Sequence, residues 1–458
     1  MSTADPVLEP ATLELVADNV AQQERRESLT APRTNRLRSL GTVFGLMCFL
    51  QTVVDPSDGL TMQPVRALLK SWQESPAQIT AFAALLSLPW ILKPLYGLLT
   101  DFVPLGGYRR KSYLIVNSAG VALGFLPLYA LPPTREAYGF LFTSLLISTI
   151  GVAFANVVID ALIVERGESG GLTGRLQSVQ WTAIYAASVL TGIAGGYLSS
   201  HAQYRLAFLL CGAGGLLTLS VAWLGVREPQ TAAKVGGLVI GRRSLWSAVR
   251  SPVVLSVCLF CFLFEFNPCS TTVVYLHMTG DLRFSEEFYG LTRSIVAVAS
   301  IVACIGFGVF SDRLPLRKLL QLSIGLGIAS TLVYLALDGP VSACVVSFLF
   351  GLAYMTAMLI QVHLAARACP AAAAGTVFAL VLALSNFGSS LATWIGGHLY
   401  EQGIAWWGHR AAFEALVIVG AACTALCWLV LPFLPASLIH SHTPGDLACP
   451  IPIPTSPR

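Results

Sequence analysis

Twelve apolar runs, each close to twenty residues, follow one another along this chain, and no other feature restricts its possible folds so severely. A sliding window of about 19 residues places the first six near 39–62, 76–99, 111–131, 139–163, 175–198 and 205–225. The second six fall near 253–277, 287–310, 317–337, 341–366, 373–399 and 411–434. Each matches the length needed to cross the hydrocarbon core of a bilayer. In lipid every backbone N–H and C=O has to be satisfied internally, which leaves helices or closed barrels. A barrel strand alternates over short segments, and these runs do not. Only 11% of the residues are charged and 55% are hydrophobic, whereas about a quarter of a soluble domain is charged. The expected class is an all-α membrane protein with twelve transmembrane helices.

The chain also repeats itself. Gly97-Leu98-Leu99-Thr100-Asp101 returns as Gly308-Val309-Phe310-Ser311-Asp312, 211 residues later, each closing an apolar run ahead of basic residues. Asp55-Pro56 aligns with Asn267-Pro268, Gly195-Gly196-Tyr197-Leu198 with Gly396-Gly397-His398-Leu399, and Arg205-Leu206-Ala207-Phe208 with Arg410-Ala411-Ala412-Phe413. Four landmarks in matching order imply a parallel repeat, two six-helix bundles over 38–226 and 252–434 joined by a polar linker at 227–251. That is the architecture of the major facilitator fold, in which one bundle rocks against the other around a central site. The tails, 1–37 and 435–458, carry no pattern able to bury a face and are expected to be disordered.

Basic residues orient the spans. With both termini inside, 20 Lys and Arg fall on the cytoplasmic side and 6 on the other, the asymmetry of a protein with cytoplasmic N and C termini. The net charge of +4 is therefore read as topology and not as a nucleic-acid partner. The acidic N-terminal segment argues against a cleaved signal or transit peptide, so a plasma or bacterial inner membrane is expected. Eleven scattered cysteines lack metal-site spacing and read as small core residues. No phosphate loop, metal-spaced histidines or nucleophile elbow appears, so neither an enzyme nor a cofactor is expected.

The run Leu88-Pro89-Trp90-Ile91-Leu92-Lys93-Pro94-Leu95-Tyr96-Gly97-Leu98-Leu99-Thr100-Asp101, followed by Tyr108-Arg109-Arg110-Lys111-Ser112-Tyr113, resembles the most recognisable stretch of the folate-biopterin transporter family. Gly59-Leu60, Asp160-Ala161-Leu162-Ile163-Val164-Glu165-Arg166, Leu176-Gln177-Ser178 and Phe284-Ser285-Glu286-Glu287-Phe288-Tyr289-Gly290 extend the likeness over nearly the whole transmembrane region. The resemblance implies a major facilitator protein and a cargo of folates or pterins, moved with protons. Span seven departs from the family. Where relatives tend to read Ala-Thr-Pro-Ser, this chain reads Phe264-Glu265-Phe266-Asn267-Pro268-Cys269-Ser270, which adds a carboxylate where cargo is expected.

A charge near the bilayer centre costs roughly 2.5 to 3.5 kcal/mol, so intramembrane ions mark function. Lys93, eight residues before Asp101, is expected to anchor a cargo carboxylate or pair an intramembrane acid; a structural ion pair is the plainer reading. Asp55 and Asp58 bracket the break in span one and are candidates for pairing Lys93, holding a proton or binding the amidine edge of a pterin, against a role as helix caps. Glu265, near mid-depth, is a candidate proton-coupling carboxylate. Arg293 is either an interfacial anchor beside Glu286 and Glu287 or a second cargo cation. Gln180, Gln361, Asn156 and Asn386 offer hydrogen bonds to a polar ring or between helices. Tyr96, Trp181, Tyr185, Tyr354 and Trp394 offer stacking or simple packing, and His277 and His363 a proton relay or a satisfied polar contact. Asp101 with Arg109 and Arg110, Asp312 with Arg313 and Arg317, and Asp160 with Glu165, Arg166 and Arg175 are assigned to gating at the helix ends, in pairs that hold the outward-open state and separate on rocking. The expected function is secondary active transport of a folate, pterin or similar flat organic anion with proton symport. The alternatives are another cargo, such as a muropeptide, siderophore or drug-like compound, or a non-transporting sensor.

Overall fold

The computed structural model describes residues 33–168, 172–230, 246, 250–310, 314–368 and 374–434. Among these residues the structure is helical apart from short loops and one isolated bridge between Leu105 and Tyr108. Among the described residues nine helices are long and apolar enough to cross a membrane. The other three expected spans are helical too: spans one and seven offer only the shorter apolar helices Ser39–Val54 and Pro252–Glu265, and span five carries Gln177, Ser178 and Gln180 among its apolar residues.

Span one is α1 (Arg33–Val54), which starts inside the segment expected to be tail and stops at Asp55-Pro56; α2 (Met62–Ser71) follows the break. Span two is α3 (Pro76–Leu86), a 3-10 turn over Leu88–Leu92, and α4 (Lys93–Phe102). Pro89 and Pro94, each without an N–H to give, account for that interruption. Spans three to six are α5 (Lys111–Ala130), α6 (Tyr138–Glu168), α7 (Thr173–Ser200) and α8 (Tyr204–Gly225). Span seven is α9 (Pro252–Glu265) and α10 (Thr271–Leu276), the latter running into a π turn at His277–Asp281. Spans eight to twelve are α11 (Glu286–Phe310), α12 (Leu316–Leu332), α13 (Pro340–Ala368), α14 (Ala374–Trp407), and α15 (His409–Ala425) with α16 (Cys427–Val430).

The two breaks are built alike. Asp55 Oδ1 accepts the N–H of Ser57 at 2.9 Å, and Asn267 Oδ1 accepts the N–H of Cys269 at 3.0 Å. In each case an Asx side chain turns the chain around the proline that follows it.

The helix neighbours repeat as well. In the first half α5 packs on α6 and α8, and α1 on α7 and α8; in the second, α12 packs on α13 and α15, and α9 on α14 and α15. Between the halves α7 lies against α11 and α3 against α14. Advancing each partner by six spans turns one of these contacts into the other, as a pseudo-twofold axis requires.

The apolar core shows how the halves meet. At the end of the molecule remote from Arg33 and Leu434, here the distal face, a single cluster runs through Val54, Phe82, Phe125 and Phe208 of the first half and Val273, Tyr275, Tyr289 and Phe413 of the second. Toward the terminal face it divides into one cluster around Met47, Leu114 and Ile159 and another around Phe260, Leu320 and Ile360, each confined to one half. The halves are therefore closed together distally and parted below. Leu123, Val116 and Ile305 are exposed on the outer wall, where lipid is as apolar as they are.

Candidate functional site

Two polar constellations lie at the depth of the breaks. The first belongs wholly to the first half. Because the 3-10 turn ends at Leu92, Lys93 opens α4 with its side chain across the bundle, where Nζ donates to Asn156 Oδ1 at 3.0 Å and lies 4.6 Å from the centre of the Trp90 ring. Asp160, one turn beyond Asn156 on α6, accepts from Gln180 Nε2 at 2.6 Å. Trp90 Nε1 donates to Ser57 Oγ at 3.1 Å, and Ser57 Oγ donates in turn to Asp55 Oδ1 at 2.6 Å. Spans one, two, four and five are thus tied through a cation, two acids, two amides and an indole. Lys93 packs into the bundle, not onto its lipid-facing wall.

The second is a cavity of about 410 Å³ between the halves, beneath the distal closure, a size suited to a small organic ligand. Asp58, Gln63, Tyr185, Glu265, Arg293 and Tyr354 contribute to its wall, with hydroxyls from Ser188, Thr191, Ser330 and Thr331 and apolar faces from Phe264, Phe350 and Met355. Glu265, the last residue of α9, accepts from Tyr354 Oη at 3.0 Å. Arg293 Nη2 meets Asp58 Oδ1 at 2.8 Å, joining the halves across the cavity. Arg293 is therefore a partner of Asp58 and not an anchor to Glu286 and Glu287. Asp58 pairs with it and not with Lys93, and Asp55 is engaged with Ser57.

The remaining candidates divide between packing and structure. Tyr96 is buried and stacked on Phe154 at 4.5 Å, and its hydroxyl has no partner among the described residues. Trp181 stacks on Tyr185 at 6.0 Å, and Tyr185 Oη contacts Met355 Sδ across the halves at 2.6 Å. Gln361 is buried in the second half, and Asn386 donates to the Trp90 carbonyl at 3.4 Å, from span eleven to span two. Trp394 packs edge-on to His398. His277 pairs with Asp281 at 2.9 Å on the distal side.

The terminal-face ions behave differently from the expectation. Arg110 bonds Asp101 at 2.6 Å and Glu165 at 2.8 Å, and Arg109 bonds Glu165 at 2.9 Å. All of these groups belong to spans two to four, so the network braces one half internally and is intact while the distal side is closed; it does not bridge the halves. Arg166 donates to the Arg227 carbonyl, Arg317 is exposed, and Asp312 and Arg313 lie outside the described residues. Burial works against the Arg110 charge, but hydrogen bonds and attraction to Glu165 and then Asp101 more than offset it and hold the guanidinium above its usual range. Replacing Arg110 with alanine is expected to lower stability by about 1 to 2 kcal/mol, the cost of lost charge-assisted hydrogen bonds discounted for half-exposed carboxylates. A denaturant titration in detergent checks this, and an unchanged midpoint removes the bracing role.

The sequence pattern that defines the BT1 family matches residues 58–443. The chain belongs to the BT1 family. It is 29% identical over 381 residues to the folate-biopterin transporter of Synechocystis sp., covering 79% of this chain and 74% of that one. It is 25% identical over 358 residues to folate transporter 2 of Plasmodium falciparum, covering 74% and 76%. Among solved structures it resembles a D-xylose-proton symporter, with a TM-score of 0.67 at 15% identity over 88% of this chain and 98% of that one. It resembles the nucleoside transporter NupG equally, with a TM-score of 0.67 at 15% identity over 86% and 98%. At such identities the likeness establishes the fold alone, the major facilitator fold. This BT1 protein is a multi-pass integral membrane transporter and not an enzyme.

Sequence reading missed the distal closure of this BT1 protein. Gln63, Arg66 and Lys70 share one face of α2 and cross to the second half. Gln63 reaches Glu286 Oε2 at 2.8 Å, Arg66 reaches Thr272 Oγ1 at 2.7 Å and Lys70 reaches the Thr279 carbonyl at 2.8 Å. Glu401 of span eleven accepts the Ala77 N–H at 2.8 Å, capping the first turn of α3 from the opposite half. Their helical spacing of three and four residues was the available signal.

Proposed function

We propose that this protein moves a folate, a pterin or a similarly flat organic anion across the membrane by alternating access, with protons as the coupling ion. The single observation that carries the reading is the cavity between the halves: closed above by α2 and α10, lined by Arg293, hydroxyls and aromatic faces, and lying between halves whose apolar cores are joined distally and separate toward the other face. The relatives named for folate and biopterin favour that cargo. Placing the terminal face in the cytoplasm follows the bias of basic residues, which makes the described state inward-facing.

In this reading the groups divide the work. Arg293 and the cavity hydroxyls hold the solute, and Phe264, Phe350 and Tyr185 flank its flat ring. Glu265, bonded to Tyr354 on the cavity wall, exchanges the coupling proton. Lys93, with Asn156 and the neighbouring Asp160, keeps spans one, two, four and five in register while the first half rocks. Asp101, Arg109, Arg110 and Glu165 keep the terminal ends of spans two to four rigid as they move.

Uptake of labelled folate and biopterin into proteoliposomes, against a panel of muropeptide, siderophore and drug-like solutes, tests the cargo. Saturable folate or biopterin uptake that rises with an inward proton gradient supports the reading, whereas transport of only the other solutes excludes it. Glu265→Gln should abolish gradient-driven accumulation, at least about tenfold, while equilibrium exchange of cargo persists, since a neutral amide keeps the Tyr354 contact but cannot cycle a proton. Gradient-driven uptake equal to wild type would assign the coupling proton elsewhere.

A further inference from the structure

The pair of Asp58 and Arg293 combines three properties. It is the ion pair that links the two halves in the wall of the central cavity, at 2.8 Å between Nη2 and Oδ1. It sits directly below the distal closure, where Gln63 reaches Glu286. Its members are unequally covered, since the Asp58 side chain is 63% exposed and that of Arg293 only 21%. A carboxylate accessible from the cavity and a guanidinium held against it form a contact that a solute entering the cavity can displace.

We propose that Asp58 and Arg293 form a cargo-displaced latch, and that the cargo able to open it is amphoteric, with an anionic group for Arg293 and an amidine or ammonium edge for Asp58. This rests on the reading of the protein as an organic-anion transporter and narrows the cargo. Separating an ion pair leaves both partners seeking replacement, and an uncompensated charge in an enclosed site is strongly unfavourable. A solute with only a carboxylate satisfies Arg293 but abandons Asp58. It would also add negative charge to a cavity whose described wall already carries a second acidic residue, Glu265, beside the guanidinium of Arg293. A purely cationic solute satisfies Asp58 and abandons Arg293. A pterin ring bearing a carboxylate tail supplies both partners: its amidine edge matches a carboxylate through two parallel hydrogen bonds, and its carboxylate matches the guanidinium fork. Breaking the pair also removes a strut between the halves at the distal side, so loading the cavity and loosening the closure become one event.

The test compares folate, which carries both groups, with biopterin, which has the pterin edge and no carboxylate, in proteoliposomes containing the full chain. Arg293→Gln is expected to lower the ratio of folate to biopterin uptake about tenfold, equivalent to about 1.4 kcal/mol. Asp58→Asn should lower uptake of both and leave their ratio within about twofold. A ratio unchanged by Arg293→Gln overturns the proposal. If wild-type protein moves neither solute, the cargo reading fails, and the latch is judged separately by alkylation of Cys269, which lines the cavity, with an impermeant maleimide from the distal side and Cys269→Ser as the blank. Both single variants should raise its reactivity, and the exchange Asp58→Arg with Arg293→Asp should return it toward wild type. Reactivity that stays at the wild-type level in both single variants overturns the latch.

Discussion

Lys93→Gln is expected to lower uptake by about two orders of magnitude in a protein that still inserts and folds. The ammonium donates to Asn156 at 3.0 Å and lies over the Trp90 ring at 4.6 Å. A charge-assisted hydrogen bond contributes about 1.5 to 3 kcal/mol, and a desolvated cation over an indole adds up to about 2. Glutamine keeps a polar reach toward Asn156 but takes from Asp160, one turn along α6, the cation that faces it. The measurement is initial uptake per folded protein, with thermal melting of the same sample. Uptake within threefold of wild type would reduce Lys93 to a dispensable structural ion. If the protein itself is lost, the double variant with Asp160→Asn separates the causes: restored folding without restored uptake assigns the single variant's collapse to an unpaired acid.

Gly290→Val is the second large effect, acting on conformation and not on chemistry. Gly192 and Gly196 lie one turn apart on α7 and form a groove into which Gly290 of α11 is pressed. A β-carbon at Gly290 would stand 2.8 Å from the Gly196 Cα and closer still to the Gly192 carbonyl, and backbone atoms there have no room to yield. Small residues are what allow two membrane helices such close approach, and overpacking costs about 1 to 3 kcal/mol or more. The distal closure should therefore lose at least about tenfold in population, with transport falling to match and Cys269 becoming reactive from the distal side. Normal transport by this variant would mean that α7 and α11 do not approach in the working cycle. The corresponding contact on the other side of the axis, Gly397 against Thr80, should respond in the same sense.

Much of the candidate site could be read in the sequence, but its pairings could not. Rare charges in apolar runs singled out Asp55, Asp58, Lys93, Glu265 and Arg293, because the cost of burying a charge makes each of them conspicuous. Partnership depends on which helices are neighbours and how far each is rotated, and no local spacing encodes that. Asp58 finds Arg293, 235 residues away, while Asp55 turns to Ser57, two residues away. Glu401 caps α3 from 324 residues further along the chain. Such contacts are properties of the docked halves.

The sequence alone determined the membrane class and the helical fold, and its repeated phrases pointed to a duplication. Hydropathy, helix length and repeated phrases are local or periodic quantities, fixed by the cost of unsatisfied backbone in lipid. The glycines of Gly195-Gly196 and Gly396-Gly397 were legible as landmarks of the repeat. Only the tertiary structure made Gly196 the place where α7 meets α11 and Gly397 the place where α14 meets α3, while Gly195 and Gly396 lie against the breaks at Leu60 and Pro268. It also decided which side is shut, because an apolar core continuous distally and divided toward the termini arises from how two pre-formed bundles lean together. One sequence must serve both tilts of such a pair, so no single pattern along the chain can specify either.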